Sequence, residues 1–279
     1  MREINASQIT KTIRDLCIES NINLPSDIKD RINYYLDKEP WAGAKGILEK
    51  IVENYEIAEK TCVPICQDSG AACVFVEVGQ DVHINGNLTD AINEGVRQGY
   101  TEGYLRKSMV SDPLERINTK DNTPAMITYD IVPGSKLKIT LAPKGFGSEN
   151  MSRIGMLKPS DGVEGVKDFV LNTIKEAGPN PCPPMVVGVG IGGTFDKAAL
   201  LAKKALLRDV NISHQKTFYK NLEEELLKEA NALGIGPQGL GGLTTVLAIN
   251  IETMATHIAG LPVAVNISCH VTRHMSVEL

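Results

Sequence analysis

Residues 185–207 read MVVGVGIGGTFDKAALLAKKALL, in which an apolar run, a cluster of glycines and an alanine-rich segment follow one another. A short apolar run bounded by glycine is typical of a buried strand, and the aliphatic residues after Thr194 favour a helix. The stretch therefore predicts a strand, a glycine-rich turn and a helix. Such a succession indicates a protein that combines sheets with helices.

The same glycines satisfy the pattern G-x-G-x-x-G between Gly188 and Gly193, and Asp209 follows about 20 residues later. In dinucleotide-binding proteins the acidic residue ends a hydrophobic strand, whereas Asp209 directly follows the predicted helix. We therefore do not expect a dinucleotide site. Two interpretations stay open: the start of the helix receives a carboxylate with help from Thr194, or the glycines allow close packing between helix and strand.

Turn and periodicity signals divide the rest of the chain into further elements. The predicted helices cover residues 26–39, 42–60, 87–105, 165–177, 216–233 and 245–257. The predicted strands cover residues 72–78, 126–132, 137–141 and 262–267, and those at 126–132 and 137–141 form a hairpin. We expect a mixed α/β (α+β) fold, rich in helix and with mixed sheets, in one domain over residues 1–279 whose first 60 or so residues are helical.

The composition excludes several classes of protein. Lysine and arginine number 29 against 34 aspartates and glutamates, so the net charge of −5 gives no general attraction to nucleic acid or to an anionic membrane. The longest apolar stretches, residues 185–191 and 259–267, are much shorter than the about 20 residues of a membrane span. The N-terminal residues do not form a secretory signal. We expect a soluble, cytoplasmic protein.

Three of the six cysteines stand in polar or proline-stiffened loops: Cys66, Cys182 and Cys269. Six scattered cysteines do not make the disulfide framework of a small secreted domain, so reduced thiols are expected. Cysteines most often fill space in the core, and that interpretation suits Cys17 and Cys73, which have apolar neighbours. A metal site built from the three loop cysteines is also open, and the tertiary fold would have to assemble it.

A zinc site is the rival interpretation of the thiols. Cys62 and Cys66 form a C-x3-C pair, and Cys269, His270 and His274 could complete the ligand set. Such a site would leave the glycine-rich loops without a role.

Two glycine-rich loops are candidates for function. PKGFGSEN, residues 143–150, follows a predicted strand, which is where a rigid scaffold presents chemistry. GIGPQGLGG, residues 234–242, contains five glycines in nine residues. It could wrap a cofactor, cap a helix or meet a partner chain.

Seven motifs, in order over nearly the whole chain, resemble those of the class I iron-sulfur hydro-lyases. They are CQDSG at 66–70, LRKS at 105–108, NTKDNTPA at 118–125, KGFGSEN at 144–150, CPP at 182–184, GIGPQG at 234–239 and CHVTRH at 269–274. The chain resembles the alpha subunits of two-subunit fumarate hydratases in this family. Ser69 stands where threonine is usual, and Phe146 where glycine is usual.

The resemblance implies a [4Fe-4S] cluster whose three thiolate ligands are Cys66, Cys182 and Cys269. It implies that Asp68 is the acid that protonates the leaving hydroxyl. The residues that match positions contacting the dicarboxylate are Gln67, Arg106, Gly147 and His257. Arginine and backbone donors suit a dianion in a net acidic protein.

The implied reaction is the reversible hydration of fumarate to malate. The family's catalytic base, a threonine, belongs to the second half of the enzyme, so the resemblance implies a separate beta subunit in a heterotetramer or larger assembly. It also implies that the cluster is sensitive to oxygen. Tartrate dehydratase alpha subunits share the CQD, CPP and GIGPQG elements, and the NTKDNTPA and KGFGSEN segments favour fumarate. The alternatives are a tartrate or other hydroxy-dicarboxylate dehydratase and, from another class, a metal-binding protein without catalysis.

Overall fold

The computed structural model describes residues 2–279. The backbone contacts divide the chain into two compact units. Unit 1 comprises Met1–Pro25, Tyr55–Phe146 and Arg273–Leu279, and unit 2 comprises Ser26–Asn54 and Gly147–Thr272. Sheets and helices occur in both, so the predicted mixed α/β class is confirmed. The single domain over residues 1–279 stays a prediction.

Unit 1 is built on a four-stranded mixed sheet in the order β10-β5-β2-β4 and a short parallel pair, β1 with β3. Its strands are β1 (Arg2–Asn5), β2 (Ala71–Gly79), β3 (Val82–Asn85), β4 (Met126–Val132), β5 (Leu137–Lys144) and β10 (Met275–Glu278). Its helices are α1 (Ala6–Ile22) and α4 (Leu88–Glu102), and the end of α3 (Ala42–Thr61) also belongs to this unit.

The core of unit 1 lies between α1, α4 and the sheet. Ile13 of α1 and Val96 of α4 are fully buried, as is Leu141 of β5. The two helices approach closely because α4 carries glycine where they meet: a Cβ atom on Gly95 would lie 2.6 Å from Cβ of Ile13. The sequence determines the start of α4 as well, because the Asn87 side chain accepts the Asp90 N–H.

Unit 2 is built on a second four-stranded mixed sheet, in the order β6-β9-β7-β8. Its strands are β6 (Arg153–Leu157), β7 (Met185–Gly193), β8 (Val246–Thr256) and β9 (Leu261–Ser268). Its helices are α2 (Ser26–Lys38), the start of α3, α5 (Phe146–Glu149) from Gly147 onward, α6 (Gly162–Ala177), α7 (Phe195–Ala205) and α8 (Thr217–Ala232), with 3-10 turns at Pro159–Asp161 and Pro237–Gly239.

The glycine motif of unit 2 lies inside β7 rather than in a turn. A Cβ atom on Gly188 or Gly190 would lie 2.1 Å from the carbonyl oxygen of Ala202 or Ala198 of α7, respectively. Only glycine allows this approach. The structure therefore supports the interpretation of close packing between helix and strand, and the alternating apolar residues of β7, such as Val187 and Val189, pack in the core with α6 and α8.

Besides the predicted glycine-rich turn, two predictions about secondary structure are wrong. The strands at 126–132 and 137–141 form, but not as a hairpin: β2 lies between them, parallel to β4 and antiparallel to β5. β2 is apolar and buried along most of its length, so it takes a partner on each side. Most of the predicted helix 245–257 forms the strand β8, which pairs with β7; the apolar run fits the helical and the strand period alike.

The other predicted helices and strands form with shifted ends, and the short strands β1, β3, β6 and β10 were not predicted. In residues 2–279, no helix is both long enough and apolar enough to cross a membrane. The cytoplasmic location stays a prediction.

Candidate functional site

The acid loop, residues 66–70, lies in unit 1 directly before β2, as predicted. Asp68 is half-buried, and its backbone N–H donates to Sγ of Cys66 at 3.4 Å. Its carboxylate accepts two backbone N–H groups, from Gly70 on Oδ1 and from Phe146 on Oδ2, each at 3.0 Å. The thiol and the carboxylate are thus held together in one tight turn.

The first glycine of the KGFGSEN segment lies against the Asp68 carboxylate. β5 ends at Lys144, and a Cβ atom on Gly145 would stand 3.1 Å from Oδ2 of Asp68. On the opposite strand end, Gly70 has φ +71, and a Cβ atom there would lie 2.5 Å from the Lys144 carbonyl carbon. Glycine at both positions therefore lets the two loops lie side by side.

Gln67 and Arg106, two predicted substrate ligands, form a pair. Nη1 of Arg106 donates to Oε1 of Gln67 at 2.5 Å, and both side chains are exposed. The backbone N–H of Arg106 donates to Oγ of Ser69 at 3.0 Å, which fixes the arginine next to the acid loop. Three predicted site residues, Gln67, Asp68 and Arg106, are therefore brought together with the predicted ligand Cys66.

Buried side chains without a predicted role bind the main chain of the acid loop. The Tyr100 hydroxyl donates to the carbonyls of Ser69 and Gly70, each at 2.9 Å. Nδ2 of Asn122 donates to the Gly70 carbonyl at 3.1 Å, while its Oδ1 accepts the Ser108 N–H at 2.7 Å. Burial raises the pKa of Tyr100 well above its ordinary value, so this residue is a neutral donor.

The neighbour of Asn122, Asp121, is a local stabiliser. Burial alone would raise the pKa of its carboxyl group, but hydrogen bonds from the Thr123 N–H and hydroxyl and from Arg97 hold the pKa at about 2. Asp121 therefore stays ionised and helps to fix the 118–125 segment around Asn122.

In unit 2, the pairing of β7 with β9 brings Cys182 and Cys269 to the same end of the sheet. The two strands are antiparallel, with Val186 opposite Ser268, so the loop before β7 and the residue after β9 are neighbours. Cys182 is exposed, and Cys269 is partly exposed. The tertiary fold thus joins two thiols that are far apart in sequence.

His270 links these two thiol loops. Its Nδ1 lies 2.8 Å from the carbonyl oxygen of Cys182, and its backbone N–H donates to the same oxygen at 3.4 Å. We assign the ring hydrogen to Nδ1, since a carbonyl oxygen only accepts. The Cys182 backbone has φ +54, a conformation that is uncommon for a residue other than glycine.

The GIGPQGLGG loop packs on the Cys182 loop. The backbone N–H and Nε2 of Gln238 both donate to the Pro183 carbonyl, at 2.7 and 2.9 Å. A Cβ atom on Gly239 would lie 2.2 Å from Cβ of Pro179. Further on, the buried Glu39 carboxylate accepts the N–H groups of Leu243 and Thr244. The loop therefore supports the end of the unit 2 sheet that carries Cys182 and Cys269, which we call the thiol end.

The other two predicted substrate residues lie in different places in unit 2. Gly147 is exposed, and a Cβ atom there would lie 3.7 Å from the carbonyl oxygen of Asn180, in the Cys182 loop. His257 is exposed in the turn after β8. β8 runs parallel to β7, so His257 lies at the end of the sheet opposite Cys182, roughly 25 Å away at about 3.3 Å per residue. The structure does not bring His257 to the two cysteines.

The predicted ligand set is distributed over both units, with Cys66 in unit 1 and the other two cysteines in unit 2. All six cysteines are thiols. Within residues 2–279, no three cysteine, histidine, aspartate or glutamate side chains are grouped as ligands of one metal ion. This finding applies to the zinc set with Cys62 and His274 as much as to the cluster set.

Comparison with known proteins identifies the family. The sequence model of the family described as Fumarate hydratase (Fumerase) matches residues 10–278. The chain belongs to the fumarate hydratase (Fumerase) family. The match covers the acid loop, both thiol loops and the GIGPQG segment, so the resemblance expected from the motifs is confirmed.

Curated relatives of this family are similar over nearly their whole length. A Methanocaldococcus jannaschii protein provisionally named L(+)-tartrate dehydratase subunit alpha is 45% identical over 273 residues, which are 95% of each chain. The L(+)-tartrate dehydratase subunit alpha of Escherichia coli strain UTI89 is 33% identical over 287 residues, covering 100% of this chain and 94% of its own. The K12 protein of the same name is 32% identical over 277 residues, 96% of this chain and 91% of its own.

The two comparisons agree on the reaction class and differ on the substrate. Fumarate hydratases and tartrate dehydratases are both hydro-lyases, and the relatives are named as dehydratases. Membership in the fumarate hydratase family therefore supports a hydro-lyase alpha subunit.

Proposed function

We propose that the chain is the alpha subunit of a fumarate hydratase, which hydrates fumarate reversibly to (S)-malate together with a separate beta subunit. The observation that carries the proposal is the acid loop. It holds a thiol and a carboxylate in one turn and places the Gln67–Arg106 pair beside them. An acid, a metal ligand and a cation are the groups that removal of water from a hydroxy-dicarboxylate needs.

Asp68 is the group that moves the proton. Its two oxygens accept one backbone N–H each, and these two bonds hold the carboxylate. They use two of its roughly four acceptor positions. The remaining positions allow it to give a proton to the departing hydroxyl oxygen of malate, and to take one from water in the reverse direction. The groups that bind the carboxylate directly are thus both backbone N–H groups.

Arg106 binds a carboxylate of the substrate. Its side chain is exposed, and the bond from Nη1 to Gln67 uses one of five guanidinium N–H donors. The others suit a dicarboxylate, which arginine binds through paired hydrogen bonds. Gly147 and His257 stay predicted ligands, and the placement of His257 at the far end of the unit 2 sheet gives it no support.

The thiols fit a [4Fe-4S] cluster in chemistry and accessibility. Cys66, Cys182 and Cys269 would hold it, since none of them is fully buried and the sheet of unit 2 brings Cys182 and Cys269 together. Sγ of Cys66 accepts the backbone N–H of Asp68, which places this thiol beside the carboxylate that would move the proton. When bound, a cluster with three protein ligands supplies an open iron that acts as a Lewis acid on the substrate oxygens.

The proposal of a beta subunit rests on the names of the relatives, which are alpha subunits of tartrate dehydratases. We expect the pure chain to have no turnover and the assembled enzyme, a heterotetramer or larger, to be active. A second candidate function is dehydration of L(+)-tartrate, favoured by the same names. The family description and the NTKDNTPA segment favour fumarate.

The test is a substrate comparison with the assembled enzyme. The chain and its beta subunit are reconstituted anaerobically with iron and sulfide and assayed with malate, fumarate, L(+)-tartrate and mesaconate. A kcat/KM for malate and fumarate at least about 100-fold above that for tartrate supports the proposal, since this ratio equals about 2.7 kcal/mol of discrimination. The reverse ratio establishes the tartrate candidate, and turnover by the chain without its partner overturns the requirement for a beta subunit.

The ligand assignment is tested by counting iron. Cys66→Ser, Cys182→Ser and Cys269→Ser are each expected to lose the cluster absorbance and the EPR signal. Cys62→Ser is the matched control, because Cys62 is an exposed thiol four residues before Cys66. Retention of zinc instead of iron, lost in Cys62→Ser as well, would overturn the cluster in favour of a zinc site.

A further inference from the structure

The three consecutive backbone carbonyls of Asp68, Ser69 and Gly70 are all bound by side chains from distant segments. Tyr100 and Asn122 take the carbonyls of Ser69 and Gly70. The carbonyl of Asp68 accepts a hydrogen bond from Nη2 of Arg273 at 2.9 Å. Tyr100 and Asn122 are neutral, whereas Arg273 carries a charge.

Burial of Arg273 at this position carries a free-energy cost. The residue is only 4% exposed. Burying a guanidinium costs several kcal/mol unless hydrogen bonds and charges compensate for the lost water. Tyrosine and asparagine already perform the same task for the next two carbonyls without that cost, so a charge at the Asp68 carbonyl calls for a reason other than packing.

The guanidinium is itself held in a fixed orientation by Asn21. Oδ1 of Asn21 accepts from Nη2 and Nε of Arg273 at 3.0 and 3.3 Å, and Nδ2 of Asn21 donates to the Cys17 carbonyl at 2.8 Å. Asn21 is completely buried on α1. The planar arginine fork is therefore oriented toward the acid loop by an α1 amide that is hydrogen-bonded at both ends.

We propose that Arg273, oriented by Asn21, is the positioning residue of Asp68. This inference rests on the proposed role of Asp68 as the acid. The bond to the Asp68 carbonyl and the Asp68 N–H bond to Cys66 fix the peptide groups on both sides of the Asp68 Cα atom. They thereby set the direction in which the carboxylate points. A misplacement of about 1 Å at a reacting group costs up to roughly 100-fold in rate.

The test compares Arg273→Lys and Arg273→Gln with the wild type in the assembled enzyme. Lysine keeps the charge but not the fork, and glutamine keeps a donor but not the charge. We expect kcat for malate to fall about 10- to 100-fold in both variants. We expect KM to change less than about threefold, because Gln67 and Arg106 are untouched, and the iron content per chain to stay the same.

A second measurement does not depend on activity. In the full chain alone, hydrogen exchange followed by mass spectrometry is expected to accelerate at least about tenfold in peptides that cover the acid loop, and not in those that cover β5 or α4. Asn21→Ala should reproduce both effects more weakly. If the wild type has no turnover but the exchange pattern appears, the proposed function fails while the positioning of the loop stands.

Arg208→Lys is the matched control. Arg208 is also a largely buried arginine, but it lies in unit 2 and pairs with Glu223 and Glu252. It should lower stability without the selective change in kcat or in acid-loop exchange. An unchanged kcat in both Arg273 variants overturns the proposal. So does a KM that rises as much as kcat falls, or exchange that accelerates equally throughout unit 1.

Discussion

The acid loop in unit 1 and the thiol end of the sheet in unit 2 are held in different ways. Buried side chains from three separate segments, Tyr100, Asn122 and Arg273, bind the carbonyls of the acid loop. The thiol end depends on strand pairing, on main-chain conformation at Cys182, on one histidine ring and on Gln238, which binds the Pro183 carbonyl. The carboxylate of the first region accepts two backbone N–H groups, whereas the thiols of the second are exposed or partly exposed.

This difference matches what each region is proposed to do. A group that moves a proton has to keep its position through the reaction, so the protein itself must supply the rigidity. A metal ligand is fixed by the metal that it binds, and the protein needs only to bring it within reach and to orient the surrounding groups. Variants of Asp68, and of the side chains that bind the carbonyls of its loop, should therefore change the rate without changing the iron content. Variants at the thiol end should change how firmly iron is held.

Asp68→Asn is expected to have the largest effect. The amide keeps the shape of the side chain and one acceptor oxygen for the backbone N–H groups, but it cannot give or take the proton. We expect kcat of the assembled enzyme to fall about 10²- to 10⁴-fold with the iron content unchanged, measured by malate turnover and iron analysis.

The control for that prediction is Asp161→Asn, which removes an exposed carboxylate that accepts the Lys158 N–H. Its rate should lie within about twofold of the wild type, since surface substitutions of this kind have small effects. If Asp68→Asn retains more than a tenth of the wild-type kcat, Asp68 is not the acid.

His270→Ala tests the other side of the comparison. Losing the ring contact with the Cys182 carbonyl frees the Cys182 loop from the residue after Cys269. Removal of a group that orients metal ligands typically costs about 10- to 100-fold in metal affinity. We expect iron to be lost to a chelator about 10 times faster or more, as followed by the decay of the cluster absorbance.

His83→Ala serves as the control for His270, because His83 is an exposed histidine on β3 in unit 1. Its iron release should match the wild type. Asp68→Asn should match as well. Equal iron release in Asp68→Asn and His270→Ala would contradict the proposed separation of proton transfer in the acid loop from iron binding at the thiol end.

Gly145→Ala should reduce the rate by a smaller factor. The new Cβ atom would stand 3.1 Å from Oδ2 of Asp68, so the carboxylate has to shift by a few tenths of an ångström. We expect kcat to fall about 3- to 10-fold, in proportion to that small misplacement. Gly46→Ala on α3, where a Cβ atom meets nothing within 4 Å, should leave kcat unchanged. A kcat for Gly145→Ala equal to that of Gly46→Ala would contradict tight placement of the carboxylate.

The sequence predicts the chemical groups better than the way they are held. Local signals located the acid loop before β2 and Cys269 after β9, because proline, glycine and apolar runs act over a few residues. The supporting bonds join residues far apart in the chain, such as Arg273 with Asp68. No local pattern encodes such pairs, although Asn122 and Arg273 both lie in motifs that the resemblance had already selected.

The failures in predicting the fold have the same origin. The hairpin of 126–132 with 137–141 is the pairing that neighbours in sequence predict. In the structure β2, about 50 residues upstream, lies between the two strands. The sequence predicts a helix in place of β8 because an apolar run of this length fits both the helical and the strand period until its partner, β7, is known. His257 was consequently expected at a helix end and lies instead in the turn after β8.

The smallest effect is expected from Asp121→Asn, which affects the support of the acid loop without touching the loop itself. The pKa of Asp121 is about 2, below the ordinary 3.8, so between these values the unfolded chain binds more protons than the folded one. The free energy of unfolding therefore rises with pH through this window. The contribution of the ionised Asp121 carboxylate is essentially complete above about pH 4. Because the side chain is 25% exposed, we expect the contribution to be only about 1 kcal/mol.

Urea unfolding of the wild-type chain and Asp121→Asn at pH 6 and near pH 2 measures this contribution. The difference in unfolding free energy should be about 1 kcal/mol at pH 6 and should approach zero near pH 2. The kcat of the assembled variant should stay within about twofold of the wild type, because Asn122 keeps its own bonds to the Gly70 carbonyl and the Ser108 N–H. A large loss of kcat without loss of stability would place Asp121 among the groups that hold Asp68. The support of the acid loop would then include a side chain that does not itself bind one of its carbonyls.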